Sequence, residues 1–136
     1  MSRDVQGRAA ATPSLAAATV EFPPHYNSQH DIYSAVTGFG GADFERFTAS
    51  SGVKSRHHAL PLPRYGELSG FTEANDAFVD IALDLGERAL LSAFDAAKIK
   101  PSEVDIIFST TVTGLAVPTL EARLATRIGL RPDVKR

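Results

Sequence analysis

Residues 72–99 carry the pattern that most limits what this chain can become. Asp76, Asp80, Asp84, Glu87 and Asp95 recur at helical spacing, while Phe78, Ile81, Leu85 and Ala89 mark an apolar stripe. The spacing predicts one long amphipathic helix. Its acidic row reads as a solvated face, because no histidine and no second carboxylate cluster converges on it to hold a metal. Pro101 cannot continue a helix, and "KIKPSEVD" is expected to end this one.

The stretch that follows, "VDIIFST" from Val104, is rich in β-branched residues and predicts an interior strand. A loop over 110–118 leads to a helix starting near Pro118, with Leu120, Leu124 and Ile128 on one face before Gly129. Upstream, residues 14–22, "SLAAATVEF", form a mostly apolar run closed by Pro23 and Pro24, which predicts a buried strand. Ser28 with Asp31 three residues on has the form of a capping box and predicts a helix over Ile32, Ala35 and Val36. The glycines of "TGFGGADF" read as a connector; they lack the Lys-Ser or Lys-Thr pair and the preceding strand that a phosphate loop requires. "ADFERFTASSG" predicts a further turn or two of helix before Gly52. Residues 53–60, "VKSRHHAL", predict a strand, and on a strand His57 and His58 point to opposite faces and cannot easily grip one ion.

Strands alternating with helices imply an α/β sheet. In such sheets ligands gather beyond the carboxyl ends of strands, so residues 110–118 occupy the place where a site would lie. The competing reading is that any strand-to-helix turn needs Gly and Pro, and fold position alone proves no site.

Composition narrows the function classes. A chain of 136 residues fits one domain and buries roughly 68% of its unfolded surface, enough for a real core. The 43% apolar and 22% charged content is that of a globular protein, and a net charge of -2 offers no basic footprint for nucleic acid. No apolar run reaches bilayer length and the start has no signal-peptide stretch, so the expectation is a cytoplasmic protein with no membrane partner. Residues 1–13 read as a flexible tail and 14–136 as the folded segment. Cysteine is absent, which removes disulfides, thiolate metal sites and thiol nucleophiles from these residues.

Several segments in order carry a family resemblance: "GVKSRHHALPLPRYGELSGFTEANDAF", the long helix after it, "PSEVDIIFSTTVTGLAVPTLEARL" and "RIGLRPDVKR". From about His25 onward the chain resembles the N-terminal portion of a type III polyketide synthase, the chalcone-synthase-like family of the thiolase superfamily. "PPHYNSQHDI" is closer to its bacterial branch. The resemblance implies the N-terminal part of a thiolase-like α/β fold, a mixed sheet with packed helices, incomplete here and belonging to a homodimer. It also implies an acyltransferase with no tightly bound cofactor, whose substrates are coenzyme A thioesters. A cysteine thiolate accepts a starter from acyl-CoA, and malonyl-CoA loses carbon dioxide to give the enolate that attacks the bound thioester.

In the family the cysteine follows the "RPDVKR" motif and the histidine and asparagine lie further downstream. The expectation is a chain truncated before the nucleophile, with no catalytic residue and no activity alone. What the resemblance assigns is enclosure. Val112 and Thr113 fall where the family lines the acyl or cyclisation cavity, Val117 where a side chain crosses into the partner's cavity, and Arg46 at a cationic position near the coenzyme A phosphates. Two further cationic positions are Asp43 and Ser50 here, and an aspartate would repel phosphate. The plainer readings are an exposed helix arginine for Arg46 and a hydroxyl satisfying the turn backbone for Thr113. Two other readings stay open: a non-catalytic dimerising or binding module derived from such a synthase, and a ketoacyl-synthase-like condensing enzyme working on a carrier protein. Either way, uncovered sheet edges and an apolar face predict self-association.

Overall fold

A computed structural model describes residues 12–36 and 42–136. The elements run β1 (His25–Ser28), α1 (Gln29–Val36), α2 (Ala42–Ser50), β2 (Ser55–His58), α3 (Leu62–Tyr65), α4 (Phe71–Ala97), a 3-10 turn at Pro101–Glu103, and α5 (Leu120–Arg127). The architecture is mixed α/β. Among the described residues the one sheet is the antiparallel pair β1–β2, in register Ser28 to Ser55 and His25 to His58.

The local signals resolve as their chemistry dictates. The Asp31 amide donates to Ser28 Oγ at 3.1 Å, and the Ser28 hydroxyl and amide donate to Asp31 Oδ2 at 2.7 and 3.3 Å, a reciprocal box that starts α1. These bonds, the Ser28 hydroxyl first, hold the Asp31 carboxyl below its ordinary value. The long helix forms as α4. It stops before Pro101 is reached, because Lys98 turns left-handed at φ 57°. The amides of Lys98 and Ile99 then donate to Asp95 O and Phe94 O at 3.2 and 3.1 Å.

The core lies between α4 and α5. Val79 and Leu83 meet Leu120 and Leu124, and a second cluster joins Ile107, Ala125, Ile128, Leu130 and Val134, with Leu90 and Phe94 packed against it. The predicted stripe on α5 is the buried one. On α4 the most buried residues are Val79 and Leu83, whereas Phe78, Ile81, Leu85 and Ala89 are only half-buried. The shift follows from where α5 sits: a Cβ on Gly86 would lie 2.9 Å from Leu124 Cδ1, so the small residue sets the line of closest approach. Of the acidic row, Asp76, Asp80 and Asp95 are exposed, but Arg127 Nη2 reaches Asp84 at 2.8 Å and Glu87 at 2.6 Å.

Two expected strands do not form. Residues 14–22 are extended but have no ladder partner among the described residues, and Leu15, Val20 and Phe22 are exposed. Side chains tie the segment to α4 instead: Thr19 Oγ1 donates to Ala89 O at 2.8 Å, and Arg88 Nε lies 3.4 Å from Glu21. From Val104 onward the expected interior strand shrinks to one parallel bridge, Ile106 with Lys135, in which the Ile107 amide donates to Lys135 O at 2.9 Å and the Lys135 amide to Asp105 O at 3.0 Å. Ile107 is buried; Phe108 is not. β-rich composition makes an extended chain, whereas a strand also needs a neighbour to accept its ladder bonds. The glycine connector and most of the expected tail lie outside the described residues.

Candidate functional site

The loop over 110–118 leaves the buried Ile107 and enters α5, and its base is stapled. Ser109 Oγ donates to Glu121 Oε2, and Thr119 Oγ1 donates to Glu121 Oε1 at 2.6 Å, so one carboxylate joins both ends. The Ser109 bond, then the Thr119 bond, holds the Glu121 carboxyl below its ordinary value. Arg123 adds a third tie, its Nε donating to Pro118 O at 3.0 Å and its Nη2 to Val117 O at 3.4 Å, beside a cis Val117–Pro118 peptide.

Further out, the Thr113 and Gly114 amides donate to Thr111 Oγ1 at 3.1 and 3.5 Å. The hydroxyl that satisfies the turn is therefore Thr111's, not Thr113's. At Leu115 the amide donates to Asn75 Oδ1 at 2.7 Å, and Asn75 Nδ2 donates to Leu115 O at 3.0 Å. Sequence reasoning missed Asn75. Its only trace is an indifferent helix former placed in the second turn of a long helix, beside the apolar stripe.

On this frame the three expected wall residues share one loop. Val112 is 104% exposed and Val117 92% exposed, with Thr113 exposed between them. Val117 also borders an open groove of about 630 Å³ with Thr119, Ala122, Arg123 and Arg136. Arg46 belongs to a different part of the molecule, on the exposed side of α2, with its guanidinium carbon 5.3 Å from the centre of the Phe47 ring. Ser50, one of the substituted cationic positions, spends its hydroxyl on Phe47 O at 3.2 Å; the Asp43 side chain lies outside the described residues.

The histidines of β2 are separated by the strand's alternation. His57 is exposed, its Nδ1–H donating to Pro23 O at 2.8 Å and its ring stacked on Phe22 at 4.8 Å. His58 is half-buried, its Nδ1 accepting from Asn27 Nδ2 at 3.2 Å, and burial lowers its pKa. No group of three or more metal-ligating side chains converges among the described residues.

No family model matches the chain. A 1,3,6,8-tetrahydroxynaphthalene synthase of Streptomyces peucetius subsp. caesius is 41% identical over 129 residues, which is 90% of this chain and 34% of that protein. That relative shares its name with a solved bacterial type III polyketide synthase. The chain spans about a third of the length of that relative. The fold agrees: the crystal structure of the Streptomyces coelicolor tetrahydroxynaphthalene synthase, a bacterial type III polyketide synthase, superposes with a TM-score of 0.76 at 22% identity, over 86% of this chain and 35% of that one. CsyB, solved in complex with CoA-SH, gives a TM-score of 0.74 at 17% identity over 88% of this chain and 35% of its own. The incomplete thiolase-like fold of the type III polyketide synthases is thus the fold of this chain.

Proposed function

We propose that these residues are the N-terminal part of a type III polyketide synthase that condenses an acyl-CoA starter with malonyl-CoA. The single observation that carries the reading is the 41% identity to a tetrahydroxynaphthalene synthase across nine-tenths of the chain. In the reaction a cysteine thiolate attacks the starter thioester and expels coenzyme A as its thiolate. Malonyl-CoA then loses carbon dioxide, and its enolate carbon forms the new carbon-carbon bond at the enzyme thioester, releasing the cysteine. These 136 residues contain no cysteine, so the nucleophile belongs to another part of the protein and this part encloses the reaction.

On this reading residues 14–136 are the front segment of the thiolase-like domain, and the enzyme is a cytoplasmic homodimer. Val112 and Thr113 line the acyl cavity and Val117 crosses to the partner. The support is physical: two valines left bare on a loop tied by several hydrogen bonds are held out for something to meet them. Arg46 serves near the coenzyme A phosphates, consistent with a related fold that holds coenzyme A and with a guanidinium presented on an exposed helix face. Among the described residues no helix is long and apolar enough to cross a membrane.

The test is turnover by the complete protein. Incubated with acyl-CoA and malonyl-CoA and no carrier protein, it is expected to release carbon dioxide and form oligoketides. Turnover only with an acyl carrier protein would move the assignment to a ketoacyl-synthase-like enzyme, and no condensation under either condition would favour a non-catalytic module.

A further inference from the structure

The wall residues project from a loop whose tip is fastened to α4 by one side chain. Asn75 meets Leu115, midway between Thr113 and Val117, with acceptor and donor at once, at 2.7 and 3.0 Å across 40 positions of sequence. A carboxamide is the side-chain group that offers both side by side in neutral form, so it meets the Leu115 backbone as a neighbouring strand would. Its orientation is fixed, because a flip would set donor against donor and acceptor against acceptor. A second observation places the loop backbone against the same helix face: a Cβ on Gly114 would collide with the Phe78 ring and fall 3.1 Å from Asn75 Oδ1. Asn75 and Phe78 are one helical turn apart. The pair makes a seat, with Phe78 setting how near the backbone lies and Asn75 setting where along the helix it sits.

We propose that Asn75 is a positioning residue for the substrate cavity: through Leu115 it fixes the loop on α4 and so sets how far Val112, Thr113 and Val117 project into the acyl site. The inference rests on the reading of this loop as a cavity wall. Asn75 touches no reacting atom in this role. What it governs is fit, and its loss is felt unequally by short and long starters.

In the complete synthase, Asn75→Asp keeps an acceptor for the Leu115 amide but turns a carboxylate oxygen on the Leu115 carbonyl, and Asn75→Ala removes both bonds. Each variant is compared with wild type using acetyl-, hexanoyl- and dodecanoyl-CoA with malonyl-CoA, reading kcat and KM for each starter and the product lengths. Amide hydrogen exchange over residues 113–117 and the melting temperature complete the set. The expected result for Asn75→Asp is exchange roughly tenfold faster in that segment, a change of roughly tenfold in the ratio of long- to short-starter kcat/KM, altered product lengths and a near-native melting temperature. Gly114→Ala, which lifts the same loop off Phe78, is expected to shift the same ratio, with Phe78→Ala in the same chain restoring it in part. An unchanged starter ratio and product profile would overturn the inference, as would an equal loss for all starters with a lowered melting temperature. If wild type makes no polyketide from any starter, the functional reading fails, and unchanged exchange at Leu115 in Asn75→Asp would separately overturn the clamp.

Discussion

The α4–α5 pair and the extended segments at 12–24 and 104–108 carry equally apolar sequence, yet they end in different states. In the helices every interior backbone bond is closed within the segment, so the pair needs only a partner for its stripe, and each finds one in the other: Val79 and Leu83 against Leu120 and Leu124. In the extended segments the bonds must come from elsewhere. Among the described residues the ladder bonds obtained are those of Asp105 and Ile107 with Lys135, and Leu15, Val20 and Phe108 stay at 85, 68 and 77% exposure. The difference teaches that a helical stripe can be completed between two nearby helices, whereas an extended segment needs a neighbouring strand to close its bonds.

The largest effect that could break this contrast is expected at Leu124, where α5 enters the core beside Gly86. Leu124→Ala should cost about 2–5 kcal/mol of unfolding free energy in the complete protein; a loss under about 1 kcal/mol on denaturant titration would mean that the pair is not the centre of stability. Val20→Ala, in the extended segment, sharpens the comparison. In this chain by itself it should change stability by less than about 0.5 kcal/mol, because the side chain is largely exposed. Ser28→Ala, which removes the cap of α1, is expected to cost about 1 kcal/mol by the same titration.

The smallest effect concerns pH. Glu121 has its pKa depressed below the usual 4.5 in the folded chain by Ser109 and Thr119, so its staple is fully present above that value and is lost as pH falls through the lowered folded value. Amide protection over residues 109–119, taken relative to the intrinsic exchange rate at each pH, should therefore fall on acidification below about pH 4.5 in wild type, and Glu121→Gln should flatten that fall. Equal pH profiles for the two proteins would remove the staple from the account.

The parts of this fold that were legible in sequence are those decided within a few residues: the Ser28–Asp31 box, the span of α4, and the Leu120, Leu124, Ile128 face of α5. What escaped depends on distant partners. The face that α4 buries is set by α5 approaching over Gly86, and the composition of 14–22 and 104–110 favours strands without revealing whether a neighbour is present. The site divides in the same way. Position in an α/β alternation picked out residues 110–118, and resemblance picked out Val112, Thr113 and Val117. The residue that seats the loop lies 40 positions away, in a helix where an asparagine carries no periodic signal.

On the proposed function, this segment walls a reaction whose nucleophile lies elsewhere in the protein. Its most direct test is to incubate the complete protein with an isotopically labelled acyl-CoA, digest it and locate the adduct by mass spectrometry. The account predicts a thioester on a cysteine outside residues 1–136. An acyl group attached within these residues, or condensation to a polyketide with no thiol acylated, would contradict it.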